Sequence, residues 1–156
     1  MQQNLSIRLS GVAAVAGGLL RAISPALADR PWAPMLWLAI DVLLLLGLIG
    51  LYARWAGATG RLGLALFVVC VAGVLTVRSQ GAVPGAYAAG AAVWSLGLAA
   101  LGVRLLFVKR TPRIGPALWI AAVPAGLAGP LGMTVAGVLF GIGYAAAGAK
   151  LARGEG

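Results

Sequence analysis

LGLIGLYARWAGATGRLG, residues Leu46–Gly63, decides how the chain is threaded. An apolar run enters the stretch, Arg54 and Arg61 bracket a turn rich in glycine, and a second apolar run leaves it. It reads as the end of one membrane span, a basic turn and the start of the next. A second stretch, LGLAALGVRLLFVKRTPRIG (Leu96–Gly115), echoes it with an LGL start, a basic turn and an R-I-G exit. The offsets of 50 and 52 residues suggest two similar hairpins turning on one side of a membrane. Such a repeat would be parallel rather than inverted, a symmetry some transporters use.

Composition supports the membrane reading. Of the 156 residues, 62% are hydrophobic and 10% charged, and the mean hydropathy is +1.00, far above that of soluble domains. The net charge of +9 does not point to nucleic acid, because the basic residues stand singly between apolar runs and form no continuous groove. They read instead as loop residues facing an anionic cytoplasmic leaflet. The lone Cys70 excludes an intramolecular disulfide, and the absence of histidine removes the commonest metal ligand and neutral-pH base. No metal site and no cofactor is expected.

Apolar runs of roughly 17 to 25 residues, enough to cross about 30 Å of hydrocarbon, give six candidates in one transmembrane domain over residues 1–156. They are Ile7–Leu27, Pro34–Ala53, Leu62–Val77, Val83–Phe107, Ile114–Ala128 and Leu131–Leu151. The fold class is an all-α, polytopic helical bundle. Residues 1–28, ending in Ala26-Leu27-Ala28, also resemble a cleavable leader, but Arg21 interrupts that pattern and an uncleaved first helix is the reading adopted. With both termini cytoplasmic, nine basic residues lie inside, among them Arg54, Arg61, Lys109, Arg110 and Arg113, and three lie outside, Arg21, Arg30 and Arg78. The positive-inside rule selects that orientation, and the texture suggests a bacterial cytoplasmic membrane. Trp32, Tyr52, Trp55 and Tyr87 fall near span ends as interfacial aromatics do.

Asp41 stands inside the apolar run Leu38–Gly47. It lies about 12 Å below the outer end of its span at 1.5 Å per residue, a depth it shares with Arg21. An isolated charge there costs about 2.5–3.5 kcal/mol, so the expectation is an Arg21–Asp41 ion pair that locks the first two helices. The rival use is a pathway or binding site for a proton, a cation or, at Arg21, an anionic headgroup, with Trp37 and Trp94 as cavity wall. Arg78, Ser79 and Gln80 end the third span as a solvated terminus or as the rim of an outward opening. Gly137, Gly141 and Ala145 form a smooth face on the last span, and Ala86, Gly90 and Gly97 another on the fourth, where helices can approach closely.

Within the spans Asp41 is the only acid, so a two-carboxylate mechanism is excluded and no enzyme is expected. Two functions remain. The first is a non-catalytic accessory or assembly subunit that sits in the lipid bilayer and packs through its Gly/Ala faces against other membrane subunits, itself or a bound lipid. The alternative is a small transporter or channel for an ion, a proton-coupled solute or a lipophilic solute, using Arg21 and Asp41.

Overall fold

The computed structural model describes residues 2–108 and 113–154, the side chains of residues 2–4 excepted. Among these the chain forms helices α1 (Gln2–Ile23), α2 (Ala33–Arg78), α3 (Ala86–Leu106), α4 (Ile114–Gly126) and α5 (Gly129–Arg153), and no strand. Four stretches, Leu5–Leu27, Ala33–Gly81, Ala86–Leu106 and Gly129–Arg153, are long and apolar enough to cross a membrane. Helix α4 has 13 residues and reaches only about 20 Å. Its Pro116 sits in the first turn, where no intrahelical hydrogen bond is lost, and its Pro124 lies near the end.

The basic turn read from Leu46–Gly63 takes an unexpected form. Helical hydrogen bonding does not stop at Ala53 but continues through Arg54 and Trp55, because nothing in that stretch breaks a helix until Gly60. There φ is 64° and ψ is −155°, a combination open to glycine and strained for any side chain. α2 is thereby folded into two arms, 33–59 and 61–78, which run back along each other. The Tyr52 and Phe67 rings stack with centroids 4.8 Å apart, whereas 15 residues of straight helix would separate them by about 22 Å. Thr59 Oγ1 donates to the Trp55 carbonyl at 3.0 Å, tying off the first arm, and Gly63 lacks the Cβ that would collide with Thr59.

A Cβ at Gly60 would meet nothing within 4 Å, so its substitution reports on backbone strain alone. Gly60→Ala is expected to lower stability by about 1–3 kcal/mol, read as a fall in unfolding midpoint in detergent. An unchanged midpoint would mean that the elbow is not built on this residue.

Neighbouring segments pack antiparallel, and the last closes on the first. α1 meets the first arm where Gly47 faces Ala14 and Gly50 faces Ser10. The second arm meets α3 where Gly73 faces Trp94 and Gly90 faces Val77. Gly102 of α3 accepts Pro116 of α4, and Gly115 of α4 lies against Gly143 and Ala147 of α5. α5 returns to α1 through two reciprocal crossings, Gly18 with Gly141 and Gly11 with Gly148. In each, a Cβ on either glycine would press into the carbonyl oxygen of the other.

The ring has apolar residues on both surfaces. The first arm buries Ile40, Leu44, Leu48 and Leu51 and exposes Leu38, Val42, Leu46 and Ile49, as a helix does when its outer medium is as apolar as its inner one. The chain ends, Arg8 and Gly154, meet at the end of the ring that also carries the Gly60 elbow. Arg54, Arg61, Arg104, Arg113, Lys150 and Arg153 belong to that end by their positions in the helices, whereas Lys109 and Arg110 lie outside the described residues.

Candidate ligand cavity

At the opposite end the ring does not close completely. The C-terminus of α1, the halves of both α2 arms far from the elbow, the start of α3 and the middle of α5 surround a cavity of about 370 Å³. That is within the roughly 300–1,000 Å³ typical of ligand sites. Its polar groups include Arg21, Asp41, Arg78, Gln80 and Ser95, and its aromatic wall comprises Trp37, Tyr87, Trp94, Phe140 and Tyr144.

Asp41 does have an ion-pair partner, but it is Arg78 rather than Arg21. Arg78 Nε donates to Asp41 Oδ2 at 2.6 Å, and Nη2 donates to the same oxygen. The cause is the elbow. Asp41 precedes Gly60 by 19 residues and Arg78 follows it by 18, so the folded helix brings them to one depth. Arg78 is the last residue of α2, and its long side chain reaches back to the shorter Asp41, whose side chain keeps 23% of its surface accessible on the cavity.

Arg21 lines the same cavity but is held differently. Its Nη1 donates to Ser24 Oγ at 3.3 Å, and Ser24 Oγ donates to the Arg21 carbonyl at 2.9 Å. Ser24 is buried and fixes the guanidinium against α5, where a Cβ on Gly137 would stand 3.4 Å from Arg21 Nη2. Gly137 therefore makes room for a cation, a role distinct from helix packing.

Trp37 and Trp94 both face the cavity. Trp94 also stacks on Tyr144, with centroids 6.0 Å apart and planes 13° apart, and Tyr144 in turn meets Trp119 at 5.3 Å. Two polar atoms in this cluster, Tyr144 Oη and Trp119 Nε1, are buried without a hydrogen-bond partner. Buried polar atoms normally have one, and both lie behind the cavity wall rather than on it. Tyr144 escapes sequence reasoning because it looks like one more apolar residue of the last span. Its signal is phase: Gly137, Gly141, Tyr144 and Gly148 recur every three or four residues and share one inward face.

The remaining glycine-face residues serve the chain itself. Gly90 lies against Gly73 and Val77, Gly97 against Val69 and Cys70, and Gly141 against Gly18 and Ala22. Ala86 is buried, and Ala145 abuts Gly18. Thr76 and Thr134 bond carbonyls of their own helices. Among the described residues no three His, Cys, Asp or Glu side chains gather into a metal-binding group. Comparison with protein-family models, curated proteins and solved structures finds no match to this chain.

Proposed function

We propose that the chain is a non-catalytic, six-pass membrane protein that binds a small solute and carries it across, or releases it from, the outer part of the bilayer. In this reading both termini are cytoplasmic in a bacterial cell membrane, the elbow end carries the inside charges, and the cavity opens outward. The observation that carries it is the cavity itself, where an ion pair and a further arginine meet an aromatic wall. Convergent polar groups in an apolar pocket are the usual composition of a ligand site. The smooth Gly/Ala faces that an accessory subunit would present to a partner are occupied within the chain, Gly90 by Val77, Gly97 by Cys70 and Gly141 by Gly18.

Mass analysis of the protein released gently from its native membrane into nanodiscs tests this. A small molecule bound in stoichiometric amount is expected, and Ala91→Phe, which places a ring in the cavity, is expected to remove it. Recovery of a stoichiometric protein partner with an empty cavity would overturn the reading in favour of an accessory subunit. Once the solute is known, Asp41→Asn is expected to abolish its flux into liposomes while the helical fold persists, and undiminished flux would exclude Asp41 from the transport step.

A further inference from the structure

Resting on the reading that the cavity holds a solute, we infer that the solute is a small organic anion, an acidic head on a planar apolar body, with Arg21 as its head-group ligand. The charged cavity residues are Arg21, Asp41 and Arg78. Asp41 and Arg78 neutralise each other, which among the described residues leaves the site with one uncompensated positive charge, on Arg21. Both Arg78 donors meet Asp41 Oδ2, so the carboxylate is charge-neutralised and offers no uncompensated negative charge to hold a cation.

Arg21 is built into its place rather than trailing from a helix end. Ser24 takes one of its five N–H donors, and Gly137 leaves space for the guanidinium against α5. The remaining donors form a planar fork suited to a carboxylate or a phosphate. The second, independent observation is the apolar wall: Trp37 and Tyr87, both exposed, and the half-buried Trp94 line the cavity, with Trp94 backed by the buried Tyr144. The rings of Trp37, Tyr87 and Trp94 give a flat apolar body faces to lie on. An acidic head alone would leave that wall bare, and an apolar molecule alone would leave Arg21 without a counter-charge.

The anionic group could belong to a free acid or to a lipid headgroup, and the test separates them. The protein is reconstituted in phosphatidylcholine nanodiscs and titrated with benzoate and 2-naphthoate, each beside its neutral amide, with empty nanodiscs as blank. Each acid is expected to bind about tenfold or more tightly than its amide, as a charge-assisted hydrogen bond provides. Arg21→Gln is expected to reduce that preference to less than about twofold, while Arg21→Lys, which keeps the charge, retains much of it. Equal binding of acid and amide by the unaltered protein would overturn the inference, as would an acid preference that Arg21→Gln leaves intact, and in both cases the cavity reading would survive. Failure of every acid and amide to bind would overturn both. Replacing part of the phosphatidylcholine with phosphatidylglycerol assigns the source: loss of acid binding in the unaltered protein identifies a lipid phosphate, and unchanged binding identifies a free acid.

Discussion

Alanine in place of Gly18 or Gly141 is expected to open the ring, lowering stability by about 3 kcal/mol or more, although the change adds one methyl group. At both positions the new Cβ meets backbone: a carbonyl oxygen of the opposite helix lies inside contact distance, with the amide nitrogen of Ala145 or Ala22 at 2.7 Å. A flexible side chain could swing aside, but a helix backbone must move as a body, and overpacking penalties rise accordingly. Gly11 and Gly148 repeat the arrangement seven residues away on each helix, so separating one crossing strains the other. Gly57→Ala is the control, since that glycine is exposed, helical and has nothing within 4 Å of its Cβ position. It should be neutral or gain about 0.5–1 kcal/mol from helix propensity. Unfolding midpoints in one detergent decide the matter. Equal effects at Gly18, Gly141 and Gly57 would mean that the α1–α5 contact does not hold the ring closed.

These glycines also show what could be read without coordinates. The small-residue face at Gly137, Gly141 and Ala145 and the one at Ala86, Gly90 and Gly97 were legible as places of close approach, because spacing alone puts them on one side of a helix. Which helix approaches was not legible. The partner of Gly141 lies 123 residues earlier, at Gly18, and follows from how the ring closes rather than from local pattern. Helix boundaries came within a few residues wherever Pro or Gly marks them, as at Pro34, Gly85 and Gly129. The glycines and arginines of Leu46–Gly63 mark a turn but do not reveal that one residue carries the bend. With the spans ending at Ala53 and resuming at Leu62, Arg21 and Asp41 are the two charges at one depth; once α2 continues to Gly60 and folds there, Arg78 arrives at the same level and pairs with Asp41. The aromatic wall was visible only in Trp37 and Trp94, because Tyr144 and Phe140 enter from the other side of the ring.

The Asp41–Arg78 contact makes a prediction about which charge needs the other. In an apolar environment the carboxylate is the more dependent partner, since its side chain is short, whereas Arg78 ends its helix and can carry its guanidinium toward the polar boundary. Asp41→Asn is therefore expected to be mild, about 1 kcal/mol, the magnitude of a lost hydrogen bond. Arg78→Gln leaves the acid uncompensated, but Arg21 borders the same cavity and supplies a replacement cation, so a cost of about 1–3 kcal/mol is expected, below that of a fully buried orphan. Removing both arginines takes that rescue away. Arg21→Gln with Arg78→Gln should cost more than the two single changes together. The loss approaches but does not reach that of a fully buried unpaired charge, about 3–5 kcal/mol, because Asp41 borders the cavity and keeps 23% of its side chain accessible. Adding Asp41→Asn to that double variant should restore most of the loss, because it removes the charge left without a partner. Unfolding midpoints of the unaltered protein and the five variants, the single Arg21→Gln among them, in one detergent give the coupling directly. Additive effects of the two arginine changes, or no rescue by Asp41→Asn, would show that Arg21 does not share the electrostatics of the pair and that the cavity does not bring the three charges into one field.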